Sequence, residues 1–223
     1  MVTERRLARL KAALDRRQPD LTVLMDRVHK PHNLSAVMRT ADAVGLFEVH
    51  AVAAPNIGIH HDCSAGGGKW VGLRTHPDLE QAMAELQGRG FQCLAAHYSQ
   101  RSVDFREIDY TRPTAIIVGA EKYGLSETAL ARADAHITIP MVGMIVSLNV
   151  SVATAVILYE AQRQREAAGL YDRPRLDPQI YRRTLFEWTH PELVDYCRRH
   201  GLEYPEVDEN GEPLEPFPPR KGA

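Results

Sequence analysis

Short apolar runs alternate with longer amphipathic segments between residues 20 and 140, and this alternation narrows the possible folds more than any other feature of the chain. The runs have the length of strands, and the segments between them are long enough for crossover helices. Strands joined in this way pair in parallel through right-handed crossovers, with helices covering the sheet. The pattern therefore predicts an α/β fold with a mainly parallel sheet and helices on both faces. The predicted strands are LTVLMDRV, FEVHAVAA, FQCLAAH, TAIIVG and HITIP.

Both ends of the chain carry predicted extensions to this core. Residues 1–19 form an amphipathic helix that stops before Pro19, and its polar face is basic; this face is either a solvated surface or an RNA contact. Residues 178–201 are again helical, whereas residues 203–219 carry six acidic side chains and no basic one, which is typical of a loosely held tail. We therefore divide the chain into residues 1–19, 20–168 and 169–223. The arginines of the basic face are Arg5, Arg9 and Arg16.

Composition excludes several classes of protein. No window reaches the ~18 apolar residues of a membrane span, and the arginine-rich start lacks the apolar core of a signal peptide, so we expect a cytoplasmic protein that does not contact a membrane. The three cysteines show no CxxC spacing, and the HHDC stretch at 60–63 places adjacent side chains that cannot easily converge on one ion. We expect no metal site.

Polar side chains follow the predicted strands, where ligands bind in open α/β sheets. In HKPHNLSAVMRTA, the apolar residues form one buried stripe, and Arg39 lies on another side, near the direction of His32. Arg39 is therefore free to meet a ligand. The alternative is that Asn33 caps the helix and Arg39 is a surface cation. In IIVGAEKYGLS, Gly119 ends a strand and Glu121 follows it, as a site residue or as a turn residue.

The stretch IPMVGMIVSLNV is the third cluster. It is broken by a proline and glycines, and Ser147 and Asn149 precede a long helix from residue 150 to about 168. Helix capping explains one of these polar residues but not both, so the second is available to a ligand or another loop. The first turns of the helix are apolar on nearly all sides. This predicts burial on more than one side, in the monomer or in a dimer.

Taken together, NLSAVMRTA, IIVGAEKYGLS and IPMVGMIVSLNVSVA resemble the three ordered motifs of the SpoU branch of the SPOUT RNA 2′-O-ribose methyltransferases. The resemblance spans residues 20–165. The segments VHKPHN, DFREIDYTRPT and LYEAQRQR are similar to those of the tRNA-directed members. The resemblance implies S-adenosylmethionine as cofactor, methylation of the ribose 2′-hydroxyl of guanosine 18 in the D-loop of tRNA, a homodimer, and a C-terminal trefoil knot.

Site residues follow from the motif positions that the resemblance aligns. The catalytic set implied in this way is Arg39, Asn33, Glu121, Ser147 and Asn149. The cofactor is expected to be held largely by backbone groups, at Ala96, Gly119, Ile139, Met144 and Leu148. For RNA binding we expect Arg5, Arg9, Arg16 and His32.

Two other functions fit parts of this pattern. The three motifs also serve enzymes that methylate ribosomal RNA, but those usually carry a separate RNA-binding domain in front, and here the N-terminal extension is short. A non-catalytic RNA-binding protein could keep the same fold. Because all five motif positions hold the expected residue types, the sequence favours an active enzyme.

Overall fold

The computed structural model describes residues 2–28, 30–52, 69–120 and 123–217. Contacts between these residues divide the chain into two compact units. One spans Gln18–Asp172 and contains the sheet. The other combines the described parts of Met1–Arg17 and Arg173–Ala223. The functional division at residues 19 and 168 stays a prediction.

The larger unit is built on a seven-stranded sheet, counted over the described ranges, with the order β3-β2-β1-β6-β4-β7-β5 and every pair parallel. The prediction of an α/β fold with a parallel sheet is confirmed. β1 and β6 lie at the centre in a register that pairs Leu21 with Thr114 and Asp26 with Gly119. The strands are β1 Leu21–Asp26, β2 Glu48–Val52, β3 Gly72–His76, β4 Gln92–Ala96, β5 Val103–Asp104, β6 Thr114–Gly119 and β7 Ala135–Thr138.

Within the described ranges four helices cover this sheet, and the strand residues alternate between its two faces. Val23 and Met25 of β1 pack on the side of α2 and α5, whereas Leu24 packs on the side of α3 and α4. Helices therefore flank both faces, as predicted. The bounds are α2 Pro31–Ala43, α3 Leu79–Gly88, α4 Glu127–Arg132 and α5 Val150–Ala167.

The sequence pattern missed two edge strands, β3 and β5. β3 reads GLRTH and is largely exposed, and β5 has only two residues, so neither gives an apolar run. A short 3₁₀ turn, Phe105–Glu107, follows β5. The HHDC stretch lies outside the described residues.

The smaller unit contains three helices over its described part: α1 Glu4–Asp15, α6 Pro178–Thr189 and α7 Pro191–His200. α1 packs against α6 through buried Leu14 and a hydrogen bond of 2.7 Å from the Tyr181 hydroxyl to the Asp15 carboxylate. The predicted helix over 178–201 divides at His190, where Pro191 starts α7 because proline fits the first turn of a helix.

The prediction of a loosely held acidic end is wrong for the described residues 203–217. Lys11 donates to the Asn210 side chain at 2.8 Å, and Glu212 lies 3.1 Å from the ring of His190. Gly211 has a φ of 76°, and a Cβ there would lie 3.1 Å from the Leu185 side chain. The segment therefore packs on α6. The exposed acidic residues are Glu203, Glu206, Glu209, Glu212 and Glu215, and of these Glu212 also contacts His190.

No helix in the described ranges is long and apolar enough to cross a membrane. Across the same ranges, no group of three or more histidine, cysteine, aspartate or glutamate side chains is placed to hold a metal ion.

Candidate active site

A cavity of about 520 Å³ lies where the carboxyl ends of β4, β6 and β7 meet segment 139–149 and the first turns of α5. Its size falls in the range of small-molecule pockets, roughly 300–1,000 Å³. Ligands of open α/β sheets bind at this edge, because the strand order there leaves a crevice between neighbouring loops. Much of the wall is main chain, since several lining residues have little or no side chain. These small residues are Ala96, Gly119, Ala120, Gly124 and Ala153.

Four of the five predicted cofactor-binding residues line this cavity. Ala96 ends β4, Gly119 ends β6, Ile139 follows β7, and Leu148 precedes α5. Met144 is not among the lining residues, and its side chain is 99% exposed. The fold therefore brings together residues that lie up to 52 positions apart in the chain, while Met144 faces solvent in the monomer.

Position 119 requires a glycine because the backbone of Gly124 passes close to it. A Cβ at this position would lie 2.3 Å from the carbonyl carbon of Gly124, far inside van der Waals contact. The Gly124 amide donates to the Ala120 carbonyl at 2.7 Å, and Gly124 has a φ of 64°. Gly119 thus permits a tight loop at the end of β6. Glu121, the predicted catalytic residue of this loop, lies outside the described residues.

Asn149 links the start of α5 to α2. It is the N-cap of α5, and its side-chain oxygen accepts hydrogen bonds from the Ser151 amide at 2.9 Å and the Ser151 hydroxyl at 2.6 Å. Its side-chain nitrogen donates to the Asn33 side chain at 3.3 Å. Asn33 is 2% exposed and sits within the first turn of α2, where Lys30 and not Asn33 is the N-cap. The alternative interpretation of Asn33 as a cap is therefore wrong.

Ser147 makes no hydrogen bond to a described residue, although it lines the cavity. Asn149 therefore supplies the helix cap, and Ser147 is the polar residue that capping does not explain. Its hydroxyl can both donate and accept a hydrogen bond, which makes it available to a ligand in the cavity.

Arg39 is exposed on α2, and no described residue pairs with its guanidinium. It does not line the cavity. It lies six residues, about 9 Å along the helix axis, from Asn33. His32, in the first turn of the same helix, is also exposed. Both side chains are thus placed to meet a molecule that approaches from solvent, as the sequence predicts for Arg39.

Asp26 was missed by the sequence analysis. This carboxylate is 1% exposed at the end of β1 and accepts from the Ser126 amide at 2.7 Å and from the Arg27 Nε at 3.1 Å. Arg27 has a φ of 56°, in the left-handed region that costs a non-glycine residue about 1 kcal/mol. Asp26 therefore ties the end of β1 to the start of α4. Its only signal in the sequence is a carboxylate at the end of an apolar strand.

His97 and the loop after β4 were also missed. His97 lines the cavity, and burial, aided by the neighbouring His136, lowers its pKa, so that it is neutral at neutral pH. His136 of β7 lies 3.2 Å from the Ser99 hydroxyl, and the Ser102 hydroxyl donates to the His97 carbonyl at 2.7 Å. These contacts fix the loop that forms one wall of the cavity.

The predicted RNA-binding arginines lie on the exposed side of α1. Thr3 caps this helix by accepting from the Arg6 amide at 3.4 Å. Of the remaining basic residues in this segment, Lys11 holds Asn210, and Arg17 is buried with its guanidinium 5.2 Å from the centre of the Trp188 ring. The structure therefore separates basic residues that stabilise the smaller unit from those that face solvent. The exposed ones include Arg5, Arg9 and Arg16.

The chain is similar to known proteins along most of its length. Residues 20–159 match the model of the SpoU rRNA Methylase family, and residues 163–216 match the model described as SpoU, rRNA methylase, C-terminal. The tRNA (guanosine(18)-2′-O)-methyltransferase of Thermus thermophilus is 59% identical over 188 residues, which cover 83% of this chain and 96% of that protein. The enzyme of the same name from Escherichia coli K12 is 54% identical over 210 residues, covering 93% and 92%.

Solved structures also resemble the fold, among them one from Aquifex aeolicus and one from Sinorhizobium meliloti. The Aquifex aeolicus TrmH/SpoU tRNA modifying enzyme has a TM-score of 0.78 and 44% identity, with 85% of this chain and 97% of that one covered. The AdoMet-bound rRNA methyltransferase from Sinorhizobium meliloti has a TM-score of 0.60 and 29% identity, with 68% and 59% covered.

Proposed function

The chain belongs to the SpoU methylase family, and we propose that it transfers a methyl group from S-adenosylmethionine to the ribose 2′-hydroxyl of guanosine 18 in the D-loop of tRNA. The observation that carries this proposal is the cavity at the carboxyl edge of the sheet, where the second and third motifs meet. The names of the relatives that cover most of this chain support tRNA as the substrate.

The cavity fits S-adenosylmethionine by size and by the chemistry of its walls. Small residues expose main-chain groups that can bond the polar edges of an adenine and the amino-acid part, and apolar residues can contact the faces of the ring. When bound, this cofactor supplies an electrophilic methyl group on a sulfonium. The residues proposed to hold it are Ala96, Gly119, Ile139, Leu148 and, from the motif alone, Met144.

Arg39 is proposed to act on the ribose. A guanidinium has five hydrogen-bond donors and no acceptor, which makes it a poor base, so its favourable role is to stabilise negative charge that develops on the 2′-oxygen. The other terminal nitrogen of the Arg39 guanidinium can donate a hydrogen bond to the adjacent RNA phosphate and so orient it. Its exposed position, without a partner among the described residues, leaves it free for both contacts.

The other catalytic candidates position the reacting groups. The Asn33–Asn149 contact holds the start of α5 against α2, which fixes the segment that carries Ser147 at the cavity. Glu121 is proposed from its motif position in the loop after β6. Because methyl transfer needs an in-line approach and little further chemistry, such positioning is expected to supply much of the acceleration.

We propose a homodimer whose interface includes segment 142–146 and one side of α5. The exposed side chains of this region are apolar, whereas monomeric proteins rarely leave such a run in solvent. A helix apolar on several sides also fits burial by a second copy. The exposed apolar residues are Val142, Met144, Ile145, Val146, Val152 and Tyr159.

The C-terminal trefoil knot is also part of the proposal. It rests on the resemblance of the motifs, because an order in which β6 lies between β1 and β4 requires crossovers but not a knot. Location in the cytoplasm follows from the proposed substrate. The basic face of α1 is proposed to contact RNA phosphates, and His32 on α2 is proposed separately as an RNA contact of the larger unit. The proposed reaction requires no metal.

The test is to incubate the purified protein with S-adenosylmethionine and an unmodified tRNA transcript. Ribose methylation is then mapped by resistance of the backbone to alkaline cleavage. We expect one protected linkage, after guanosine 18, and a loss of kcat of about 100-fold or more in Arg39→Ala. Arg106→Ala, at an exposed arginine paired with Asp104, serves as the control.

Two other outcomes of this experiment would give the protein a different function. Protection on ribosomal RNA but not on tRNA would move it to the other substrate class, which the family description and the Sinorhizobium structure keep as the second candidate. RNA binding without methylation of either substrate would favour a non-catalytic protein.

A further inference from the structure

A second cavity, of about 750 Å³, lies within the smaller unit between α6, α7 and the segment that follows α7. Neither the sequence motifs nor the proposed chemistry uses it. Its lining combines guanidinium groups, aromatic rings and carboxylates, a mixture that differs from the apolar and main-chain wall of the first cavity.

Three arginines give this cavity its positive side. Arg182 is exposed and has no partner among the described residues. Arg183 lies 3.3 Å from Glu187, and Arg198 lies 3.4 Å from Asp195, in both cases within one helix. The arginine side chains of these two pairs are 68% and 74% exposed, so the pairs are weak and can exchange a carboxylate for another anion at little cost.

An aromatic pair lies beside these arginines. The Arg183 guanidinium is 5.1 Å from the centre of the Tyr204 ring, and the rings of Phe186 and Tyr204 are 5.3 Å apart. Tyr204 is only partly buried, whereas Phe186 is buried beneath it. A supported aromatic ring next to a planar cation is the kind of surface on which unpaired bases stack.

Carboxylates complete the lining. Glu203 and Glu206 both line the cavity on the segment that carries Tyr204. Carboxylate oxygens accept hydrogen bonds and so can receive the exocyclic amino group of a base. A free inorganic anion has no group that would meet these carboxylates, whereas a nucleotide carries a phosphate, a flat ring and amino donors.

We infer that this cavity binds an unpaired nucleotide of the RNA substrate, with its phosphate at Arg182 and Arg198 and its base beside Tyr204. This inference rests on the proposed function, because it requires an RNA substrate. It extends that function by giving the C-terminal extension a specific contact, made in a different compact unit from the methyl-transfer cavity.

The experiment measures binding and turnover of the full chain with an unmodified tRNA transcript. In the double variant Arg182→Ala/Arg198→Ala we expect the Kd and the KM for tRNA to rise about tenfold near 0.15 M salt. The slope of log Kd against log salt should flatten by about 0.7, the value for one phosphate of single-stranded RNA, because both arginines contact the same phosphate. The kcat at saturating tRNA and the affinity for S-adenosylmethionine should not change.

The matched control is Arg74→Ala/Arg106→Ala, which removes two exposed, paired arginines of the larger unit. Tyr204→Ala should weaken RNA binding without changing the salt slope, since stacking involves no counterion release. Thermal unfolding of each variant verifies that it is folded.

Equal tRNA affinity and equal salt slope in the arginine variant and the wild type would overturn the inference. So would binding of guanosine 5′-monophosphate that the arginine variant abolishes while tRNA affinity stays unchanged, because the cavity would then serve a free nucleotide. The Kd for tRNA is measured by filter binding, which does not depend on methyl transfer. A loss of the predicted difference in Kd can therefore be distinguished from a failure of the proposed methylation.

Discussion

Arg165 is a fully buried arginine whose loss should show how the larger unit is held together. All of its donors are satisfied by surrounding groups, and it forms an ion pair with Asp20. Its Nε donates to the Tyr110 carbonyl at 2.8 Å, and Nη1 donates to the Gln18 side chain at 2.9 Å and to the Asp20 carboxylate at 2.7 Å. Nη2 donates to the Asp20 carbonyl at 3.1 Å and the Arg112 carbonyl at 3.0 Å.

We predict that Arg165→Met lowers the free energy of unfolding by about 4 kcal/mol. Breaking a buried ion pair costs roughly 3–5 kcal/mol, and the carbonyls left without donors add to this cost. The Asp20 side chain is 17% exposed, so water partly replaces its partner and keeps the total within that range. For a chain of this size, the change corresponds to a fall in Tm of roughly 8–16 °C.

Urea unfolding followed by circular dichroism measures this effect. Arg165→Lys should lose about 2–3 kcal/mol, since it keeps the charge near Asp20 but not the planar set of donors. Arg163→Met is the matched control on the same helix, because Arg163 is 68% exposed and, among the residues that the structure describes, forms an ion pair only with Glu160. If Arg165→Met unfolded at the same urea concentration as Arg163→Met, the proposed role of the buried arginine would be refuted.

Three further predictions concern local packing, pH and RNA binding. Gly119→Ala should cost about 2–3 kcal/mol in unfolding free energy, because its Cβ would meet backbone at 2.3 Å, whereas Gly143→Ala, with nothing within 4 Å, should cost little. Urea unfolding at a series of pH values should show that acidification destabilises the fold in two pH ranges. The first lies below pH ~6.5, because burial lowers the pKa of His76 and the unfolded state takes up the proton first. The second runs from pH ~4.5 to ~2, because hydrogen bonding to His50 lowers the pKa of Glu48 to about 2. His76→Gln should reduce the destabilisation in the first range without abolishing it, because burial also lowers the pKa of His97, and it should leave the second range in place. Replacing the three exposed arginines of α1 by alanine should flatten the salt dependence of tRNA binding by about 2–3 in slope, and an unchanged slope would mean that this face is only a solvated surface. The three arginines to be replaced are Arg5, Arg9 and Arg16.

Much of the fold could be predicted because buried strands and helices require apolar residues at regular intervals in the sequence. The strand TAIIVG was predicted with its observed bounds, and the long helix starting at Val150 differs by one residue at its end. β3 was missed because an edge strand with exposed side chains needs no apolar run. The burial of Asn33 was also not predictable from spacing, since its partner Asn149 lies on another helix more than a hundred residues away.

Local patterns predicted the central strands and helices in their order, the basic face of α1 and the three motifs, because each depends on residues close together in the chain. Contacts between distant residues set which polar residues share a cavity and create the second cavity in the C-terminal extension. Ser147 and Met144 show the difference, since they stand three positions apart in one exposed segment, yet only Ser147 lines the cavity. The physical reason is that burial and hydrogen bonding are set by contacts between distant parts of the chain, which local spacing does not specify.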